Sequence, residues 1–416
     1  MKLLAFAIAA LVACGPGEPP AAGPRPVAEP AAPVARTPPA LVSAPDAELA
    51  TKLDGAIDAW ASKDGVGAVV MIARDGKLVY QHAAGFADRE AKVAMRTDTQ
   101  FRLASMTKPI VSAAALALVE QRVLSLDDPV TKWLPQFRPK LADGREPVIT
   151  VRHLITHTSG LGYTFLEEDG GPLHKAGVSD GLAKPGLALD ENLERLASVP
   201  LLYEPGTKWR YSLAVDVLGA VIAKAGGGTL PEVVRRLVTQ PLGMTDTAFV
   251  ITDRERLAWP YVVDKDKRTV RMTEPYDRKR GGRTIRYSPA RIFDARSFPS
   301  GGAGLAGTAR DYLEFCEALR TGGANILRPD TVRAMTENQV GALTGDPGEG
   351  FGYGVGVVVD PVAAKSAWGK GAYSWDGIYG TSFWIDPEAR LSVVILTNVA
   401  GGPSPGDAVE KALYGH

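Results

Sequence analysis

The chain has 416 residues, 45% hydrophobic and 23% charged, enough to bury a large core in one domain or two closely packed ones. Lys plus Arg and Asp plus Glu number 47 each, and a formal net charge of zero excludes the basic field that nucleic-acid binders present. The five histidines are scattered without H-E-x-x-H spacing, so no metal site is read and no cofactor is expected.

Met1-Lys2 gives a short positive start, and Leu3 to Ala13 is an apolar run too short to span a bilayer. It ends in Leu11-Val12-Ala13-Cys14, which resembles a bacterial lipobox, where the cysteine is acylated and becomes the mature N-terminus. Residues 1–14 are therefore expected to be a lipoprotein signal peptide, against the plainer reading of a signal peptide with a stray cysteine. Gly15 after Cys14, where Asp would retain a lipoprotein at the inner membrane, makes the expected address the periplasmic side of the outer membrane. The membrane is then a partner through lipidated Cys14. Residues 15–45 are nearly all Pro, Ala and Gly and read as a tether. Cys316, left without a partner, sits in the apolar helical pattern DYLEFCEAL and reads as a core residue.

Residues 46–416 read as the folded domain. DAELATKLDGAIDAWASK is an amphipathic helix with Leu49, Leu53, Ile57 and Trp60 on one face. GAVVMIARDGKLVYQHAAG reads as two strands around an Asp75-Gly76 turn. FGYGVGVVVD, YGTSFWIDPEA and RLSVVILTNV read as three more strands, the last two joined at Asp386-Pro387. Between them the patterns are mainly helical, with a helical subdomain expected at about 110–290. The predicted fold is α+β: an antiparallel sheet built from both chain ends, flanked by helices, with an inserted helical region and a cleft between the two parts. Arg278-Lys279-Arg280, with Arg283 and Arg286, lies among glycines and prolines and reads as a solvated loop.

Two serines compete for a chemical role. Gly177-Val178-Ser179-Asp180-Gly181 is G-x-S-x-G, but no strand precedes it, Pro185 blocks a following helix, and the only later histidine is the terminal His416. Ser179 therefore reads as a loop serine. Ser105-Met106-Thr107-Lys108 is S-x-x-K at the first turn of a long apolar helical pattern. There the helix dipole favours developing negative charge, and i, i+3 spacing puts the Lys108 amine beside Ser105 Oγ. Burial would have to leave Lys108 partly neutral for it to take the serine proton. The plain alternative is a surface lysine beside a capping serine. Tyr211, just ahead of a helix ending at glycines, reads either as a proton relay or as a core aromatic.

Ser105-x-x-Lys108, Tyr211-Ser212 and Trp375-Asp376-Gly377, in this order, resemble the three motifs of the serine β-lactamase and penicillin-binding-protein superfamily. RLASMTKPIV, HLITHTSGLGY, YEPGTKWRYSLAVDVLG and SWDGIYGTSFWIDPE more specifically resemble the family VIII carboxylesterases. The resemblance implies a β-lactamase-like fold and a serine hydrolase of short-chain carboxylic esters acting through a Ser105 acyl-enzyme. It also implies Lys108 and Tyr211 as the general-base pair, and an oxyanion hole from the backbone N–H groups of Ser105 and Ile378. Tyr163, Trp375, Asp376 and Gly377 would line the substrate pocket, with packing as the other reading for Tyr163. Trp375 stands where penicillin-recognising enzymes carry a lysine, and Leu213 where β-lactamases carry an asparagine; both favour neutral esters. Asp376 departs from the Trp-Gly-Gly of the esterases and would repel anions or face solvent. Family members also carry a G-x-S-x-G that is not the nucleophile. Two other readings stay open: a β-lactamase or DD-peptidase, and a non-catalytic binding module of the envelope.

Overall fold

Asp75 and Gly76 both take left-handed backbone (φ 52° and 78°), as a two-residue hairpin turn of type I′ requires. From this turn Gly67–Arg74 and Lys77–Asp88 run antiparallel. On its other edge Gly67–Arg74 pairs antiparallel with Leu391–Thr397, setting Val70 opposite Ile395. Thr381–Asp386, Tyr373–Gly377, Gly356–Val358 and Glu349–Phe351 continue the sheet outward, each antiparallel to the last. The far edge carries Val42–Ser43, parallel to Lys77 and Leu78. The α+β fold, with its sheet assembled from both chain ends, is as the patterning predicts. The computed structural model describes residues 41–415, so Cys14, the signal-peptide stretch and residues 15–40 lie outside the described residues.

Strand Leu391–Thr397 is buried on both faces, and its alternation shows why. Val393 and Ile395 face one layer together with Val70 and Ile72, where helix Ala47–Lys63 lays down Leu49, Leu53, Ile57 and Trp60 and helix Gly406–Tyr414 adds Val409. Val394 and Leu396, with Val69 and Met71, face the opposite layer. That layer holds helix Ala309–Arg320, in which Cys316 is fully buried. Asp46 starts the first helix by accepting the N–H groups of Glu48 and Leu49, each at 3.0 Å.

Three stretches depart from the sequence reading. FGYGVGVVVD is not one strand: Gly352 N–H turns back to the Val355 carbonyl at 2.8 Å and Gly354 takes φ 89°, so the run folds into a hairpin. Tyr373–Gly377, not anticipated as a strand, is one, and it carries the third motif. Residues 261–287, placed within the helical region, form two hairpins, Tyr261–Val263 with Thr269–Arg271 and Tyr276–Arg280 with Arg283–Tyr287. The basic stretch therefore lies on strands and is not a solvated loop. Gly281 and Gly282 both take positive φ at its tip, the Gly-Gly signal of a tight hairpin, and Arg286 closes on Asp277 across the strands at 2.6 Å.

Helix Thr107–Glu120 is buried at every position from Thr107 to Leu118, which explains its unbroken apolar pattern, and it packs on the equally apolar helix Ala214–Ala225. The cleft forms where this helical layer meets the strand Tyr373–Gly377. Leu53 has no exposed surface between the first helix and the sheet. Leu53→Ala is expected to cost about 2–5 kcal/mol of stability in urea denaturation, with the substituted protein still reacting at Ser105 under native conditions.

Candidate active site

Ala104 takes a left-handed φ of 46°, a conformation that costs a residue with a Cβ on the order of 1–2 kcal/mol. It is pinned from one side, where Leu103 N–H donates to the Leu305 carbonyl at 2.9 Å and the Leu103 carbonyl accepts Thr381 Oγ1 at 3.1 Å. The short 3₁₀ turn Ala104–Met106 then feeds helix Thr107–Glu120. Ser105 thus projects from a constrained corner at the helix entry, a little ahead of the first α-helical turn that the sequence suggests.

Lys108, one turn on, is fully buried; its Nζ lies 3.2 Å from Ser105 Oγ and donates to the Gly302 carbonyl at 2.8 Å. Burial pushes its pKa down to about 7, opposed by the carboxylates of Asp216, Asp376 and Asp180. The Tyr211 hydroxyl donates to Ser105 Oγ at 2.6 Å. Burial pushes that phenol far up, so Tyr211 holds its proton at neutral pH. The structure therefore brings Ser105, Lys108 and Tyr211 within hydrogen-bonding reach, with an amine pushed down toward neutrality and a phenol that keeps its proton.

Trp375 packs its ring 5.5 Å from Tyr211 and 5.3 Å from Phe351, an apolar wall beside the serine. Asp376 keeps an exposed edge, but surrounding protein pushes its carboxyl up, with Lys108 working the other way. Gly377 is needed for space: a Cβ there would sit 2.3 Å from both the Leu103 carbonyl and Thr381 Oγ1. That close approach brings Ile378, which follows the strand, to the cleft beside Ser105. The cleft has a volume of about 590 Å³. Tyr163 is 3% exposed and does not line it; its ring stacks on Phe165 at 4.5 Å and backs Tyr211 at 5.1 Å. Tyr163 thus packs, and Phe165 takes the wall position.

Ser179 lies elsewhere. It is 3% exposed on a loop, its Oγ donates to the Ala183 carbonyl at 3.2 Å and accepts Gly181 N–H at 3.3 Å, and among the described residues no histidine hydrogen-bonds to it. Its neighbour Asp180 does serve the site, accepting Thr164 N–H at 2.9 Å and Phe165 N–H at 3.2 Å as well as the Thr164 hydroxyl. Burial pushes Asp180 up to about 6 against these hydrogen bonds.

Several contributing residues carried no recognised signal. His157, within the quoted HLITHTSGLGY, is fully buried, holds Nδ1 3.3 Å from Ser212 Oγ and sets its ring 4.9 Å from Tyr211. Burial and the nearby Lys108 push its pKa well down, keeping it neutral. Asp216 accepts the Ser300 hydroxyl at 2.6 Å, and a Cβ on Gly302 would lie 2.4 Å from its other oxygen. Asp216 therefore holds the segment whose Gly302 carbonyl receives the lysine. The sequence signal was GGAGLAG: only glycine fits at 302. Trp209 and Arg278 also line the cleft.

The Beta-lactamase family model matches residues 54–415. Esterase EstB of Burkholderia gladioli is 48% identical over 386 residues, covering 90% of this chain and 98% of that one. The solved structure of EstCE1, described as a hydrolase with promiscuous acyltransferase activity, superposes with a TM-score of 0.85 at 42% identity, covering 88% of this chain and 99% of the other. Lovastatin esterase of Penicillium rubens is 27% identical over 349 residues, 76% of this chain and 84% of that one.

With Lys108 brought down to about 7 by burial beside Ser105 Oγ, acid is expected to silence the serine. The rate of Ser105 labelling by a fluorophosphonate is expected to fall about tenfold per pH unit below a midpoint of about 7 and to level off above it. Gly377→Ala, which drives a methyl into the Leu103 carbonyl, should slow that labelling at least about tenfold while far-UV circular dichroism stays unchanged.

Proposed function

The chain belongs to the beta-lactamase family, and on that premise we propose that it is a serine carboxylesterase that cleaves short-chain esters through an acyl-enzyme at Ser105. The observation that carries this reading is the arrangement of Lys108 Nζ at 3.2 Å and the Tyr211 hydroxyl at 2.6 Å on one serine oxygen, with the lysine buried. Esterase names among the relatives support it.

In acylation, Ser105 Oγ attacks the ester carbonyl and its proton passes to the neutral Lys108 amine. The carbonyl oxygen becomes an oxyanion held by the backbone N–H groups of Ser105 and Ile378, where two donors in a site with little water supply several kcal/mol. Collapse breaks the bond to the alcohol oxygen, which takes a proton from Tyr211, and the phenol is refilled from Lys108. A water molecule then attacks the acyl carbon by the reverse relay, releasing the acid and restoring Ser105. Burial sets these roles by moving two pKa values in opposite directions, the lysine down and the tyrosine up.

Two features of the cleft walls weigh against penicillins. Trp375 puts an indole where a penicillin-recognising enzyme needs a cation, and Leu213 is fully buried and offers no amide. The intact serine, lysine and tyrosine arrangement argues against a purely binding role.

For the chain's address we propose a lipoprotein anchored at Cys14 on the periplasmic side of the outer membrane, supported by the apolar run Leu3–Ala13 and its lipobox-like end.

Intact mass after brief incubation with p-nitrophenyl butyrate is expected to show an acyl adduct on wild type and on Ser179→Ala and none on Ser105→Ala. An adduct lost with Ser179→Ala alone would overturn the reading. The initial rate on the butyrate ester should exceed that on nitrocefin, and the reverse order would favour a β-lactamase. Cys14→Ser is expected to move the expressed protein from the membrane fraction to the soluble fraction and to abolish palmitate incorporation.

A further inference from the structure

The hairpin formed by Tyr276–Arg280 and Arg283–Tyr287 hangs beside the cleft, and its first strand reaches three cavities, one of which all five of its residues line. Asp277 and Lys279 line a cavity on one side, together with Thr284 and Arg286 of the partner strand. Arg278, between them, lines the cleft of Ser105. Its guanidinium lies over Gly401, whose φ is 67°, where a Cβ would fall 2.1 Å from the nearer nitrogen. Glycine at 401 therefore leaves room for the arginine to lie across the loop that follows the last sheet strand.

Arg278 is half-buried, donates to the Gly401 carbonyl at 3.5 Å and forms no ion pair with a carboxylate among the described residues. Asp277, its neighbour, is taken by Arg286. The hairpin thus presents a guanidinium with unused donors to the cleft, and Arg278 and Asp376 are the charged residues of the described cleft lining. Asp376 stands on the strand that borders the serine, and the cation is delivered by a different element. A guanidinium offers paired donors matched to a carboxylate, whereas Asp376 repels one.

Building on the esterase reading, we infer that Arg278 is a specificity-determining residue that receives a carboxylate of the substrate, and that esters carrying a free carboxylate a few bonds from the scissile carbonyl are the preferred class. Asp376 orients such a substrate by turning its anionic end away from the motif strand and toward the hairpin.

The test compares p-nitrophenyl butyrate with the p-nitrophenyl monoester of glutaric acid, a neutral and an anionic substrate of similar acyl length. The readout is the ratio of kcat/KM values, anionic over neutral. Arg278→Met, which keeps the side-chain bulk over Gly401, is expected to lower this ratio about tenfold, mainly through KM for the anionic ester. Arg278→Lys, which keeps the charge, should hold the ratio above that of Arg278→Met. Asp376→Asn probes the same field without touching the hairpin and should raise it. A ratio unmoved by Arg278→Met, or lowered by Asp376→Asn, overturns the inference. Failure of the wild type to turn over either ester would instead remove the esterase reading, so the two failures are distinguishable.

Discussion

The constraint on which this structure turns is the removal of one lysine amine from water. Lys108 has no exposed surface, and burial brings its pKa down to about 7 against an opposing pull from nearby carboxylates. Three carboxylates, Asp216, Asp376 and Asp180, pull the other way, and each is itself pushed up by its surroundings. Their pull is too weak to return the amine to its ordinary value, because burial outweighs it. The apolar helices Thr107–Glu120 and Ala214–Ala225 thus do electrostatic work by excluding solvent, and Ser300, Thr164 and Gly302 fix where the nearby charges sit.

Around that amine the fold assembles parts from distant stretches of chain. The serine and lysine come from one helix entry, the phenol from the approach to a second helix, the lysine's acceptor from a glycine-rich loop and the apolar wall from a sheet strand. Contacts between backbone and small residues hold the pieces in register. Gly377 admits the Leu103 carbonyl, Thr381 donates to that same carbonyl, and Leu103 in turn binds Leu305. A methyl group at any of these crossings would separate the strand from the nucleophile corner.

How much of this was legible in the chain depended on whether a local rule applied. The Asp75-Gly76 turn, the amphipathic first helix and the two-sided apolar strand Leu391–Thr397 follow from periodicity and turn chemistry, and the structure has them. The serine, lysine and tyrosine were readable because spacing and a motif set carried them. Tyr373–Gly377 is hard to read as a strand because its burial does not alternate: Ser374, Trp375 and Asp376 in succession all keep exposed surface. The hairpin over residues 276–287 was hidden by its basic composition, although Gly281-Gly282 signalled the turn. Asp216, His157 and Arg278 act through long-range placement: nothing local distinguishes a buried aspartate beside an amine from one on a surface helix.

The sheet's central seam joins Gly67–Arg74 to Leu391–Thr397, more than three hundred residues apart in the chain. Ser105 is therefore made early, and the strands that bring Ile378 and Trp375 to it are made among the last. A ribosome three-quarters through the message carries a serine with no wall beside it, and closing so long a loop is the slow, entropically costly step of a β-rich topology. Reactivity is deferred until the polypeptide is nearly finished. A chain cut short before Tyr373 lacks the strand that carries Trp375, the Ile378 that follows it and the strand Leu391–Thr397 with which Gly67–Arg74 pairs.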